Sequence, residues 1–120
     1  MILNEIDQLN ERIDQINKKF AAANTYGVRC VFDDEDHAEI GELQGYGRVD
    51  GMGGGKWGLF VQGHGEFQLL RDASVGVRMR VMSDTLRIAD LYRKLKQENA
   101  ARKDGLHDLL VSLDVFIETL

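Results

Sequence analysis

The chain has 120 residues, 43% hydrophobic and 29% charged, with no proline and a formal net charge of -5. That length supports one domain with its own buried core, and the absence of proline disfavours a stiff linker or a polyproline ligand. The single cysteine, Cys30, excludes an internal disulfide and points to a reducing compartment. No stretch approaches the ~20 apolar residues of a membrane span. The charged start "MILNEIDQLNERID" lacks the apolar run of a signal peptide, so a cytoplasmic protein without a membrane partner is expected.

Charge is unevenly placed. Residues 1–70 carry 6 basic and 12 acidic side chains, residues 71–103 carry 9 and 4, and residues 104–120 carry none and 4. A positive middle between negative ends favours pairing within the molecule or between copies over plain nucleic-acid binding.

The first element is a helix over 2–23. Ile2, Ile6, Leu9, Ile13, Ile16, Phe20 and Ala23 alternate four and three apart, a two-position heptad seam. Glu5 and Asp7 sit near its start and Lys18 and Lys19 near its end, as the helix dipole favours, and Asp14 is one turn from Lys18. Asn24 and Gly27 provide a stop. The seam has two uses: packing against the C-terminal helices, or zipping to another copy through Ile6, Leu9, Ile13, Ile16 and Phe20. The flanking row Asn10, Asn17 and Asn24 carries no charge to select a partner.

Strands follow. "YGVRCVF" (26–32) alternates Tyr26, Val28, Cys30 and Phe32, which makes Cys30 a buried thiol rather than a nucleophile. "LQGYGRV" (43–49) places Leu43, Gly45, Gly47 and Val49 on one side. "KWGLFVQ" (56–62) puts Trp57 in the core with Leu59 and Val61. "EFQLLR" (66–71) returns after a three-residue "GHG" loop.

Residues 74–103 read two ways. "SVGVRMRVMS" alternates as a strand, and it also fits a helix over about 75–102 capped by Ser74, the favoured alternative. Leu106, Leu109, Leu110, Leu113, Phe116, Ile117 and Leu120 then form the wide apolar face of a closing helix, with Gly105 as the cap between the two. The expected fold is α+β: one domain over 1–120, with a heptad-patterned helix (1–24), an antiparallel meander of three or four strands (25–73) and a helical pair (74–120).

Glycine crowds "GYGRVDGMGGGKWG". Although "GGGKWG" formally fits G-x-G-x-x-G, a phosphate cradle needs a helix after it, and here a strand follows. Trp57 also stands where a P-loop needs Ser or Thr. The glycines are expected to form a hairpin tip.

"DDEDHAEIGE" (33–42) holds six carboxylates and a histidine. It lacks the calcium-loop pattern, and no metal or other cofactor is expected, although Asp33, Asp36 and His37 are an opportunistic divalent set. A solvated acidic loop that docks on a basic partner fits better. Arg80, Arg87 and Lys94 recur every seven residues with Arg78, Arg93 and Lys96 nearby, but Asp84 and Asp90 lie one turn away and absorb part of that charge. His64 and His107 have no serine or cysteine beside them in sequence, so no catalytic constellation is visible and an enzyme is the least favoured class.

"GKWGLFVQ", "LLRDAS" and "VRMRV...LRIADLYRKL" together resemble small proteins encoded by bacteriophages and prophages, in which a helix opening with V-R-x-R follows such a strand. The resemblance implies a helix over 74–102, although Gly76 in the first turn departs from the pattern. It also implies an accessory setting in which short acidic proteins block host proteins, as anti-CRISPR proteins do. The first expectation is thus a non-enzymatic, homo-oligomeric inhibitor, dimeric by preference, of a bacterial host or defence protein. Its contacts are Asp33, Asp34, Glu35 and Asp36 with Met52 and Lys56 of the glycine-rich tip. A sponge for an anionic signalling nucleotide, held by Arg78, Arg80 and Arg87 at a subunit interface, is the alternative. Nucleic-acid binding by the same arginines comes third.

Overall fold

A computed structural model describes residues 4–32, 39–50 and 55–120. The first helix, α1, spans Glu5–Ala23. Four strands follow: β1 (Cys30–Val31), β2 (Leu43–Val49), β3 (Lys56–Gln62) and β4 (Phe67–Leu69). A 3-10 turn at Leu70–Asp72 leads into α2 (Val75–Ser83) and α3 (Thr85–Thr119). The sheet is an antiparallel meander in chain order, and the architecture is α+β.

Asn4 caps α1 by accepting from the Asp7 N–H at 2.8 Å, relieving one orphan amide of the first turn. The seam of α1 faces inward: Ile13 and Phe20 are buried, Leu9, Ile16 and Ala23 pack against the core, and Ile6 is left 46% exposed. The asparagine row beside it stitches the helix to the rest of the domain. Asn10 accepts from Arg78 of α2. Asn17 accepts from the Leu59 N–H of β3 at 3.0 Å. Asn24 both accepts from and donates to the Val28 backbone, at 2.8 and 3.0 Å, standing in for a neighbouring strand. Asp14 pairs with Arg71 at 3.0 Å rather than with Lys18.

The first strand is much shorter than the 26–32 expected. Gly27 turns the chain at φ +63°, and Asn99 and Arg102 of α3 bind the backbone of Tyr26 and Gly27, which diverts it from the sheet. Cys30 is fully buried, as its alternation implied.

In β2 the alternation slips. The register shifts between Leu43 and Gly45, so Leu43 and Tyr46, opposite Val61 and Leu59, both join the core. Leu43 therefore does not share a side with Gly45 and Gly47. The bulge buries Gln44 completely; its Nε2 donates to the Glu42 carbonyl, and its Oε1 has no partner among the described residues. A Cβ on Gly45 would stand 2.2 Å from the Cys30 carbonyl oxygen, and one on Gly47 would meet Arg29, whose guanidinium lies 5.1 Å from the centre of the Phe60 ring. Glycine in β2 lets chain and cation approach that closely.

Leu59, Phe60 and Val61 of β3 are all buried. Trp57, expected in the core, is 44% exposed with its ring 6.1 Å from that of Tyr46, at a groove between β3 and α1. The β3–β4 turn closes through Gly63 N–H to Glu66 carbonyl at 2.8 Å with Gly65 at φ +82°, so four residues rather than three lie between the last paired positions, Gln62 and Phe67.

Residues 75–83 are helical, with Ser74 as N-cap. The break between helices falls at Asp84, whose carboxylate accepts from the Arg87 N–H and so starts α3, and the helix then runs through Gly105. Gly105 is not the cap expected of it: a glycine inside a helix costs only ~1 kcal/mol relative to alanine, too little to stop an established helix.

Opposite outcomes follow for two glycine substitutions. Gly45→Ala should destabilise by roughly 2 kcal/mol or more, since backbone blocks the new methyl. Gly105→Ala, with open space around it, should stabilise by about 0.5–1 kcal/mol. Urea denaturation of the two variants reads both signs. Burial also pushes the Tyr46 phenol above its ordinary 10.0. Its contribution to stability is complete below pH 10 and lost as pH rises through the higher folded value, so alkaline melting should fall more steeply in the wild type than in Tyr46→Phe.

Candidate functional site

Asp33, Asp34, Glu35, Asp36, His37 and Met52 lie outside the described residues. Lys56, the remaining expected contact, is exposed at the start of β3. It lines a groove of about 390 Å³ with Trp57, Lys18 and the Asp14–Arg71 pair. An exposed indole flanked by lysines borders the glycine-rich segment.

The arginines are separated by the break at Asp84. Arg78 reaches back to the Ala73 carbonyl and to Asn10, tying α2 to α1. Arg80 donates to the Ile40 carbonyl at 3.3 Å. Arg87 donates to the Leu43 carbonyl at 3.1 Å, lies 3.9 Å from the centre of the Phe32 ring, and sits 3.6 Å from Glu42. Arg80 and Arg87 share a cavity of about 220 Å³, but Glu39, Glu42 and Asp84 line it too, so carboxylates outnumber cations there. Arg78 is not among its lining residues. Asp84 caps α3, and Asp90 forms an intrahelical pair with Arg93 at 2.6 Å. These cations hold loops and strands to helices, which weakens both anion-binding readings. Among the described residues, no group of three or more His, Cys, Asp and Glu side chains could hold a metal, and no helix is long and apolar enough to cross a membrane.

The feature with the greatest physical consequence is the second half of α3. Ile88, Leu91 and Leu95 bury against the domain, and among the described residues Asn99 and Arg102 make its last hydrogen bonds to the body. Every residue from 100 to 120 is exposed. At 1.5 Å per residue, the part beyond Arg102 is an arm about 26 Å long, and the molecule measures 62 × 37 × 32 Å. Leu106, Leu109, Leu113 and Phe116 continue the inward face of α3 into water. Sequence reasoning found this stripe as the wide apolar face of a closing helix, with the C-terminal helices as one of two candidate partners for the α1 seam. The signal pointing elsewhere was its lack of any lysine or arginine beside four carboxylates.

As a free helix this arm is poorly stabilised. It contains Gly105, and Asp114 and Glu118 oppose the dipole near a C-terminus with no basic residue in its last turn. Burying one such leucine returns about 1.5–3 kcal/mol, so seven apolar side chains on one face make a strong contact surface.

No protein-family model, curated protein or solved structure matches the chain.

Removing the Arg87 fork should act on stability first. Arg87→Lys loses the planar stacking on Phe32 and the paired donors to Leu43, and should lower stability by about 1–2 kcal/mol in thermal denaturation.

Proposed function

We propose that this is a non-enzymatic binding protein that acts by protein–protein contact, in the manner of a phage accessory protein inhibiting a bacterial host or defence protein in the cytoplasm. The observation that carries the reading is the exposed apolar arm of α3. A contiguous apolar helical face held in water is a surface for contact with another chain. The buried, unbridged Cys30 suits a reducing compartment. Four successive carboxylates at 33–36, with Met52 and Lys56 of the glycine-rich segment, are the contacts assigned to the target, which therefore presents a basic surface.

A second reading, a sponge for a small anionic nucleotide, draws on the cavity shared by Arg80 and Arg87 and is opposed by its three carboxylates. It requires a rise in Tm with cyclic or ADP-ribose-like nucleotides.

The main reading is tested by affinity capture from a bacterial lysate with the wild-type chain and with Asp33, Asp34, Glu35 and Asp36 all changed to Lys. The expected result is a specific protein retained by the wild type and lost with the variant, while Tm stays within a degree or two. Identical capture by both chains removes the acidic contact, and turnover of any substrate removes the reading as a whole.

A further inference from the structure

We infer that the arm of α3 is covered by a second copy of this chain, in an antiparallel α3–α3 dimer with its two-fold axis near Arg102. The inference rests on the reading of the arm as a protein-contact surface and names its occupant.

Placement is the first support. Arg102 divides α3 into a half from Thr85 that packs on the body and an exposed arm. Reversing one helix on another about Arg102 therefore lays arm on body twice.

Charge is the second. Residues 85–103 carry six basic and two acidic side chains, a net +4, while residues 104–120 carry four acidic and none basic, a net -4. Antiparallel pairing sets +4 against -4 at both ends, whereas parallel pairing sets like against like. The acidic residues that oppose the helix dipole at the end of the arm then lie beside the partner's basic half.

Shape is the third. An apolar groove of about 270 Å³ runs between α1 and α3, lined by Ile16 and Lys19 on one side and Thr85, Ile88, Ala89 and Tyr92 on the other. Its α3 residues lie in the half that antiparallel pairing brings opposite Leu113, Phe116 and Ile117. A groove between two helices needs a wide ridge, and the arm is apolar at three positions per heptad rather than the two of a simple coiled-coil seam. Lys19 at the groove edge meets an acidic arm.

The self-association expected from the α1 seam is thus reassigned. Ile13 and Phe20 are already buried within the chain, and α1 contributes Ile16 and Lys19 as one wall of the groove.

Light scattering on the full chain at tens of micromolar should give about twice 13.5 kDa. Leu113→Asp with Phe116→Asp, both at exposed positions, should give a monomer whose body retains its far-UV spectrum. Reversing Asp108, Asp114 and Glu118 to Lys should weaken the dimer about tenfold or more, because several attractive pairs become repulsive at once. Mixing that variant with one carrying Arg93→Glu, Lys94→Glu and Lys96→Glu should restore it. A monomeric wild type overturns the inference, and so does an arm-reversed variant that dimerises as well as the wild type, which is the outcome for a parallel pair. A monomer that still captures its target through residues 33–36 sinks the dimer alone, and a dimer that captures nothing sinks only the proposed function.

Discussion

The attachment of α1 to the sheet is the constraint from which the rest of the domain follows. Its apolar seam supplies the driving force, since Ile13 and Phe20 bury completely against the sheet and α3. Burial alone does not set where along the sheet the helix stops. Asn10 and Asn17 do so by bonding α2 and β3, and Asn24, one heptad further on, fixes the exit of the chain at Val28. A hydrogen bond in a partly buried setting contributes only ~1 kcal/mol net, but leaving its partner unmet costs more, so such bonds act chiefly against wrong registers.

Once α1 is seated, the arginines become structural. The positive middle of the chain holds Arg71 on Asp14, Arg78 on Asn10, Arg80 on Ile40, Arg87 on Leu43 and Arg102 on the Tyr26–Gly27 turn. A guanidinium offers several donors in a rigid plane, which suits it to bridging carbonyls that helices and short strands leave unpaired. The uneven charge that suggests a phosphate-binding stripe is to this extent the bracing of an irregular fold. What stays unmatched is the acidic arm.

Local pattern made much of the fold legible. Two strands, 43–49 and 56–62, have the bounds that residue type and glycine spacing implied, although burial along them does not alternate: five successive residues of β2 and four of β3 are buried. Alternation failed where a distant element intervened. Tyr26 and Val28 lie outside β1 because α3 and Asn24 bind that backbone, Leu43 changes face because of a bulge, and Trp57 is half exposed on a groove that it shares with Asp14 and Lys18 of α1. For the candidate site, the heptad spacing of Arg80 and Arg87 was readable, yet a helix break at Asp84 decides what they touch.

By itself the sequence determined the order of helix, strands and helices, the burial of Cys30, and the separation of charge along the chain, since each depends on neighbours within a turn or a strand. Which apolar face has something to pack against was decided only by tertiary structure. Periodicity reports that a face is apolar, whereas its cover is set by where the other elements run out, and among the described residues they run out at Arg102.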